Sequence, residues 1–177
     1  KTFAIGQFLF ICIAFVCLTY SFLQDDFSVL YVANHSHRSL PVFYKIAAVW
    51  SAHEGSLLLW ILLMSIWTVA VGSFSDNLPK KFAARVISVQ GILCFGFLLF
   101  TLFTSNPFVR LFPIPFDGAD LNPLLQDPGL VIHPPILYTG YVGFSVAFSF
   151  AIAAMITGDL DQRWARWTRP WTTAAWI

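Results

Sequence analysis

The sequence predicts an all-α fold: a polytopic integral membrane bundle with four complete spans and the start of a fifth. Of its 177 residues, 58% are hydrophobic and only 11% are charged, whereas soluble domains carry roughly 25% charged residues. Aromatic residues make up 18% of the chain and the mean hydropathy is +0.72. This composition is the opposite of that of disordered chains. Apolar segments long enough to cross a bilayer recur along the chain, which indicates a membrane protein.

A membrane-spanning helix needs about 20 predominantly apolar residues, and four segments meet this requirement. They cover about residues 4–23, 50–74, 84–105 and 135–157. The fourth opens with Pro134 and Pro135, a pair that suits the first turn of a helix. A fifth apolar segment, residues 171–177, follows Pro170 and stops after seven residues. Because residue 1 is Lys1 and the fifth segment is cut short, we expect residues 1–177 to be an internal fragment of one larger membrane domain.

The distribution of Lys and Arg predicts the orientation of the bundle. Seven basic residues fall on one side of the predicted spans and three on the other, which places the start of the chain in the cytoplasm. The longer loops, about residues 24–49 and 106–134, then face outward. The net charge is +1 and the chain has no basic block, so we expect no nucleic-acid partner. The three cysteines lie in apolar runs and predict neither a disulfide framework nor a CxxC motif.

One cytoplasmic segment, residues 158–170, alternates Trp with Arg in the sequence GDLDQRWARWTRP. Indole rings favour the depth of the lipid headgroups, and Arg favours anionic lipid surfaces. The pattern predicts an interfacial anchor with membrane lipid as its partner.

All four histidines fall on the predicted outer side. His35 and His37 belong to the polar turn NHSHR, which is typical of a solvated loop, although paired imidazoles also bind metals weakly. His53 and Glu54 open the second span, where Glu54 suits the positive end of the helix dipole. Capping with an interhelical hydrogen bond and a proton or ligand relay are both compatible with that pair.

His133 differs from the other histidines because prolines surround it in the sequence DLNPLLQDPGLVIHPPILYTGY. Pro134 and Pro135 follow it, and a residue that precedes proline is biased towards extended backbone. We therefore expect a restrained imidazole just outside the fourth span. The residues alone leave a structural histidine packed on Tyr138 or a Trp and an iron or other metal ligand as equal alternatives.

Long motifs resemble the CcmF-type cytochrome c biogenesis proteins and their NrfE-type paralogues. The resemblance covers nearly the whole chain, and the two types are not separated by it. It rests on the segments VLYVANHSHRSLPVFYKIAAVWSAHEGSLLLW (Val29 to Trp60), LFTSNPFVR (Leu102 to Arg110), DGADLNPLLQDPGLVIHPPILYTGYVGFSVAFSFAIAAMITGDLD (Asp117 to Asp161) and WARWTRPWTTAAW (Trp164 to Trp176).

The resemblance implies a subunit of a haem lyase in the bacterial inner membrane, with its functional face in the periplasm. Such a subunit takes b-type haem in transit from a haem chaperone and joins its vinyl groups to the CxxCH thiols of an apocytochrome c held by partner subunits. The HPP motif carries the role of haem axial ligand over to His133. The family's second periplasmic His, its tryptophan-rich segment and a further haem site are expected beyond Ile177, so we expect the fragment alone to be inactive. The resemblance assigns no role to His35, His37, His53 or Glu54.

Two alternatives remain. A transporter of haem or another small ligand needs polar groups facing a cavity at mid-membrane, and the predicted spans offer only Gln90, small hydroxyls and Tyr141. A non-catalytic membrane scaffold of the maturation complex needs no ligand at His133.

Overall fold

The computed structural model describes residues 1–158 and 162–177 and is built of helices. Among the described residues there is no strand, and an isolated antiparallel bridge joins Val29 and Arg110. A 3-10 turn, Pro123–Leu125, precedes α6. The α-helices are α1 (Thr2–Leu23), α2 (Leu30–His35), α3 (Val42–Ala48), α4 (His53–Phe74), α5 (Lys80–Thr104), α6 (Pro128–Thr157) and α7 (Gln162–Trp176).

Four helical segments are long and apolar enough to cross a membrane: Thr2–Leu23, His53–Phe74, Lys80–Thr104 and Val131–Thr157. The predicted fold class, an all-helical bundle with four such spans and further helix, is confirmed. The helix starts differ most from the predicted span starts at α5 and α6. Helix α5 begins at Lys80 instead of about residue 84, and α6 begins at Pro128 instead of about residue 135.

Contacts divide the chain into two compact units. Unit 1 comprises Lys1–Ile11, Trp60–Leu98 and Ile136–Ile177, and unit 2 comprises Cys12–Leu59 and Leu99–Pro135. Each of the four long helices contributes residues to both units, because the division falls within α1, α4, α5 and α6.

Unit 1 has two apolar cores. Gly143 permits the close packing of α4, α6 and α7, because a Cβ atom there would lie 2.8 Å from Ala175 Cβ and 2.9 Å from Trp67 Cζ2. One core is formed by Val71, Phe82, Val86, Val146, Phe150, Ala153 and Ala154. The other is formed by Ile11, Ile61, Met64, Cys94 and Val142.

Helix α7 covers most of the segment predicted to be an interfacial anchor, and it continues through Pro170 into the predicted fifth apolar run. Its indole rings also make contacts within the protein. Trp164, Trp167 and Trp171 are partly buried against the core of unit 1, and the Trp167 ring lies 5.1 Å from the Phe82 ring. Anchoring of this segment in the lipid headgroup layer stays a prediction. Residues 159–161 of the predicted anchor lie outside the described residues.

Unit 2 contains the two segments predicted as outer loops, and both contain helical structure. Helices α2 and α3 occupy much of residues 24–49, and the segment 106–134 includes the 3-10 turn and the first turns of α6. They pack on one apolar core, whose buried members include Leu18, Phe22, Phe27, Tyr31, Val32, Val49, Leu58 and Leu121.

Candidate functional site around the start of α6

His133 lies inside helix α6, in its second turn. The expectation of extended backbone at this residue is wrong, because α6 begins at Pro128 and runs through Pro134 and Pro135 without interruption. Pro128 suits the first helical position, where no hydrogen-bond donor is needed. The later prolines remove two donors from the helix and require an explanation.

A side chain from another segment supplies one of the missing donors. In an α-helix the N–H of residue 135 would bond the carbonyl of Val131, but Pro135 has no N–H. The indole N–H of Trp50 donates to the Val131 carbonyl instead, at 3.1 Å. Val131 is 6% exposed, so this carbonyl would otherwise be buried without a helical donor. Trp50, just before α4, thereby stabilises the helical turn that carries His133.

The imidazole of His133 is exposed, and the described residues give it no polar or aromatic partner. Among the described residues it makes no hydrogen bond, ion pair or ring contact, and neighbouring Ile132 is 54% exposed. The structural alternative, packing on Tyr138, is not what the structure shows, since the Tyr138 ring packs 5.8 Å from the Trp60 ring. Both ring nitrogens of His133 are thus available to a ligand.

His35 and His37, by contrast, belong to the internal structure of unit 2. His35 Nδ1 lies 2.9 Å from the Tyr31 carbonyl, and its ring centroid lies 4.7 Å from that of Tyr31 with the two rings tilted by 45°. His37 Nε2 lies 3.2 Å from Asp117 Oδ2, and its Nδ1 lies 2.7 Å from Ser39 Oγ. These contacts order the NHSHR segment, whose first two residues are the last two of α2.

The carboxyl of Asp117 contacts the same segment, at His37 and Arg38. Partial desolvation would raise its pKa, but hydrogen bonds from the backbone N–H groups of Arg38 and Gly118, with the nearby charges of His37 and Arg38, lower it below its usual value. An ionised Asp117 therefore faces His37. Gly118 is required here, because a Cβ atom would lie 2.0 Å from the Ser36 carbonyl oxygen.

His53 and Glu54 form the first turn of α4, as predicted. His53 is exposed, with its Nδ1 3.2 Å from Glu54 Oε2. The geometry is not that of a hydrogen bond, and the buried Glu54 Oε2 has no hydrogen-bond partner in the described structure. The predicted interhelical hydrogen bond of Glu54 is therefore absent there. Glu54 lines a small cavity of about 140 Å³ with Tyr31, Asn34, Thr104, Ser105 and Asn106.

Tyr31 and Gly55 explain the shape of the turn before α4. The Tyr31 hydroxyl accepts a hydrogen bond from the Ala52 N–H at 3.1 Å and donates to the Val49 carbonyl at 3.2 Å. Burial raises the pKa of Tyr31 to about 12, because the phenolate would lose its hydration. A Cβ atom on Gly55 would lie 1.7 Å from the Val49 oxygen, so only glycine fits.

Ion pairs form within and between the two segments predicted as outer loops. Lys45 is 6% exposed and donates to both carboxylate oxygens of Asp25, at 2.6 and 2.7 Å. Arg110 lies 3.2 Å from Asp26 Oδ2. The hydrogen bond from the Ser28 hydroxyl, with the charge of Arg110, lowers the pKa of Asp26 despite partial desolvation. Sequence reasoning missed these pairs, because Lys45 was counted only as a loop charge.

Gln90, the polar residue on which the transporter alternative depended, is fully buried and satisfied. Its amide donates to Ser145 Oγ at 3.2 Å, and Thr68 Oγ1 donates to its carbonyl at 3.4 Å. It therefore joins α4, α5 and α6 within unit 1. This arrangement is that of an interhelical hydrogen-bond network and leaves Gln90 no free group for a transported ligand.

The only metal-ligating group contributed by His133 and its helical turn in the described structure is one imidazole. Among residues 1–158 and 162–177 there is no group of three or more His, Cys, Asp or Glu side chains placed to hold a metal ion. A lone exposed imidazole whose nitrogens have no hydrogen-bond partner is chemically suited to ligate haem iron, for which His is a common protein ligand.

The family model described as "Cytochrome C assembly protein" matches residues 50–177. Because this is well over half of the chain, the chain belongs to the cytochrome c assembly protein family. The sequence resemblance is confirmed.

Several individual proteins of known name are similar to this chain. The chain is 63% identical over 97% of its length to the cytochrome c-type biogenesis protein CcmF of Pseudomonas fluorescens, and 58% identical over 100% to that of Escherichia coli K12. The NrfE protein of Haemophilus influenzae is 48% identical over 90% of the chain. A solved structure titled "Cytochrome c Heme Lyase CcmF" matches 98% of the chain with a TM-score of 0.81 and 30% identity.

The chain spans about a quarter of these proteins. It covers 26% of the Pseudomonas protein, 28% of the Escherichia protein, 25% of the NrfE protein and 27% of the solved chain.

Proposed function

We propose that this chain is the part of a cytochrome c haem lyase subunit that presents one axial ligand, His133, to haem. Relatives named for cytochrome c biogenesis and a solved structure named a haem lyase support the role. The observation that carries the assignment to His133 is its free imidazole. His35 and His37 are engaged within unit 2, whereas His133 is exposed and makes no contact of its own among the described residues.

The contribution of this chain to the reaction is ligation and positioning. Haem is the substrate, and its vinyl groups react with the CxxCH thiols of an apocytochrome c to form thioether bonds. His133 would ligate the haem iron through a ring nitrogen and so would restrict the orientation of the haem. The hydrogen bond from Trp50 to Val131 holds the turn beneath His133, which restricts the direction of the ligand. Orientation of this kind is the protein's usual share in cofactor chemistry.

We further propose that haem is handled at the periplasmic face of a bacterial inner membrane. Seven basic residues on one side and three on the other favour a cytoplasmic start of the chain, which puts the start of α6 outside. The partners on that face are a haem chaperone, apocytochrome c and the subunits that hold it. A second axial ligand and a further b-type haem belong to the remainder of the parent protein, so the fragment alone is inactive.

The test is the substitution His133→Ala in the full-length parent, expressed with its maturation system. We expect normal membrane insertion, with recovered haem and holocytochrome c both reduced about tenfold or more. Substitution of a residue that only hydrogen-bonds to a metal ligand already lowers metal affinity about 10–100-fold. His133→Cys should retain some haem with a shifted Soret band, because a thiolate replaces the imidazole.

The matched control is His53→Ala, which removes the other exposed imidazole at the start of a long helix. It should leave haem content and cytochrome output unchanged. Unchanged haem and output in His133→Ala would overturn the assignment and leave a scaffold role for this chain. Equal losses in both variants would also overturn it, because they would show a general effect of losing surface histidine.

A further inference from the structure

A second cleft lies in unit 1, where the end of α4 and the start of α5 meet the first residues of α1. Its volume is about 530 Å³. Apolar side chains form most of the wall, among them Val71, Leu78, Ala83 and Ile87. A cleft of this size accommodates part of a lipid or a drug-sized ligand.

The mouth of the cleft carries unbalanced positive charge. Lys1 lies 3.2 Å from Asp76, and this exposed pair is neutral as a whole. Lys80 also lines the cleft, is exposed, and has no ion-pair partner among the described residues. Ser75 lines the same mouth, and its hydroxyl oxygen is buried without a hydrogen-bond partner in the described structure. An anion that accepts from Lys80 and Ser75 would satisfy both groups.

The position of Lys80 at the start of α5 also favours a bound anion. Helix N-termini favour negative groups, because the helix dipole and the free N–H groups are positive there. Helix α5 nevertheless begins with Lys80 and Lys81 and has no acidic residue in its first turn. Lys80, which lines the cleft, is therefore a cation at the positive end of a 25-residue helix, and an anion bound beside it would offset this unfavourable interaction.

The position of the cleft along the spans identifies the anion. Helix α4 ends at Phe74 and α5 begins at Lys80, and both are long and apolar enough to cross the bilayer. The residues between them therefore lie at the depth of the lipid headgroups. Basic pockets at the ends of membrane helices bind anionic lipid headgroups. A free phosphate would satisfy the mouth but not the apolar wall behind it.

We propose that this cleft binds an anionic phospholipid, with the phosphate held by Lys80 and Ser75 and an acyl chain along the wall formed by Val71, Ala83 and Ile87. The proposal does not depend on the role of His133. A bound lipid would fix the turn between α4 and α5.

The experiment compares lipid retention by native mass spectrometry of the full-length parent in detergent, with phosphatidylglycerol and phosphatidylcholine of the same acyl chains. The wild type should retain phosphatidylglycerol preferentially, and Lys80→Ala should reduce that preference about fivefold, as expected for one basic residue near an anionic lipid. Lys81→Ala is the matched control: it removes the same charge from the adjacent residue, which does not line the cleft. It should change the preference less than twofold.

A variant of the wall tests the acyl chain separately. Ala83→Phe should reduce retention of both lipids, because the larger ring fills the space along the wall. Equal losses in Lys80→Ala and Lys81→Ala, or no preference for phosphatidylglycerol in the wild type, would overturn the proposal. Displacement of the lipid by millimolar inorganic phosphate, with no effect of Ala83→Phe, would also overturn it, because the mouth would then be only an anion site.

Discussion

Removal of the indole N–H of Trp50 should weaken the helical turn that carries His133. The substitution Trp50→Phe keeps an aromatic ring and deletes the donor to the Val131 carbonyl, which it meets at 3.1 Å. A net hydrogen bond contributes about 0.5–1.5 kcal/mol, and a buried group left without a partner costs about 1–3 kcal/mol. Because Val131 is 6% exposed and Pro135 supplies no helical N–H, we expect a loss of roughly 1–3 kcal/mol in the free energy of unfolding.

A double-mutant cycle separates this hydrogen bond from the general effect of a smaller ring. Pro135→Ala restores a backbone N–H four residues after Val131, and this N–H can bond the same carbonyl. In the Pro135→Ala background, Trp50→Phe should therefore cost less than in the wild type, with a coupling energy of about 1 kcal/mol, within the range for contacting groups.

The assay is reversible unfolding of the full-length parent in mixed detergent and sodium dodecyl sulfate, followed by far-ultraviolet circular dichroism, since tryptophan fluorescence changes with the substitution. Trp67→Phe is the control. Trp67 donates to the Thr139 carbonyl at 3.0 Å, and this carbonyl keeps its own helical donor at Gly143. Trp67→Phe should be additive with Pro135→Ala. Additivity of Trp50→Phe with Pro135→Ala would refute the compensation argument.

Two further predictions concern the turn before α4. Gly55→Ala should destabilise the protein by several kcal/mol, because its Cβ atom would lie 1.7 Å from the Val49 oxygen. The control Gly96→Ala, with open space around it, should be neutral or stabilising by up to about 1 kcal/mol. Equal thermal midpoints of the two variants would contradict this prediction. The pKa of Tyr31 is raised to about 12, so its stabilising contribution is present below pH 10 and lost as the pH rises to 12. The total loss is at most about 3 kcal/mol, and Tyr31→Phe should lack this pH-linked decrease if unfolding is measured across the interval.

The membrane spans were predictable from the sequence because each depends only on a continuous run of apolar residues. About 20 consecutive apolar residues must form a helix to satisfy their backbone in lipid, whatever lies elsewhere in the chain. The start of α6 was not predictable in this way. A proline pair argues for a boundary, and the group that offsets the missing donor at Pro135 is Trp50, which lies 81 residues from Val131 in the sequence.

The helices within the segments predicted as outer loops were not predictable for a related reason. Residues 24–49 were assigned as the connection between two spans, and Arg38 and Lys45 were counted there only as loop charges. In the structure Lys45 is buried against Asp25, and residues 24–49 contain α2 and α3, with the first two residues of NHSHR inside α2. A buried lysine is stable only when a carboxylate lies close enough to compensate its lost hydration. Pairing of this kind joins distant residues, so composition alone counts both charges as solvated.

The case for His133 changes once the contacts are known. Besides the HPP motif of the resembled family, sequence reasoning distinguished His133 by prolines that were expected to hold it in extended backbone, and this second reason is wrong because the residue is helical. The structure adds a comparison: the rings of His35 and His37 have partners inside unit 2, and His53 lies against Glu54. A ligand residue needs a free lone pair and a fixed direction. At His133 the exposed ring meets the first requirement, and the bond from Trp50 to the turn beneath it favours the second.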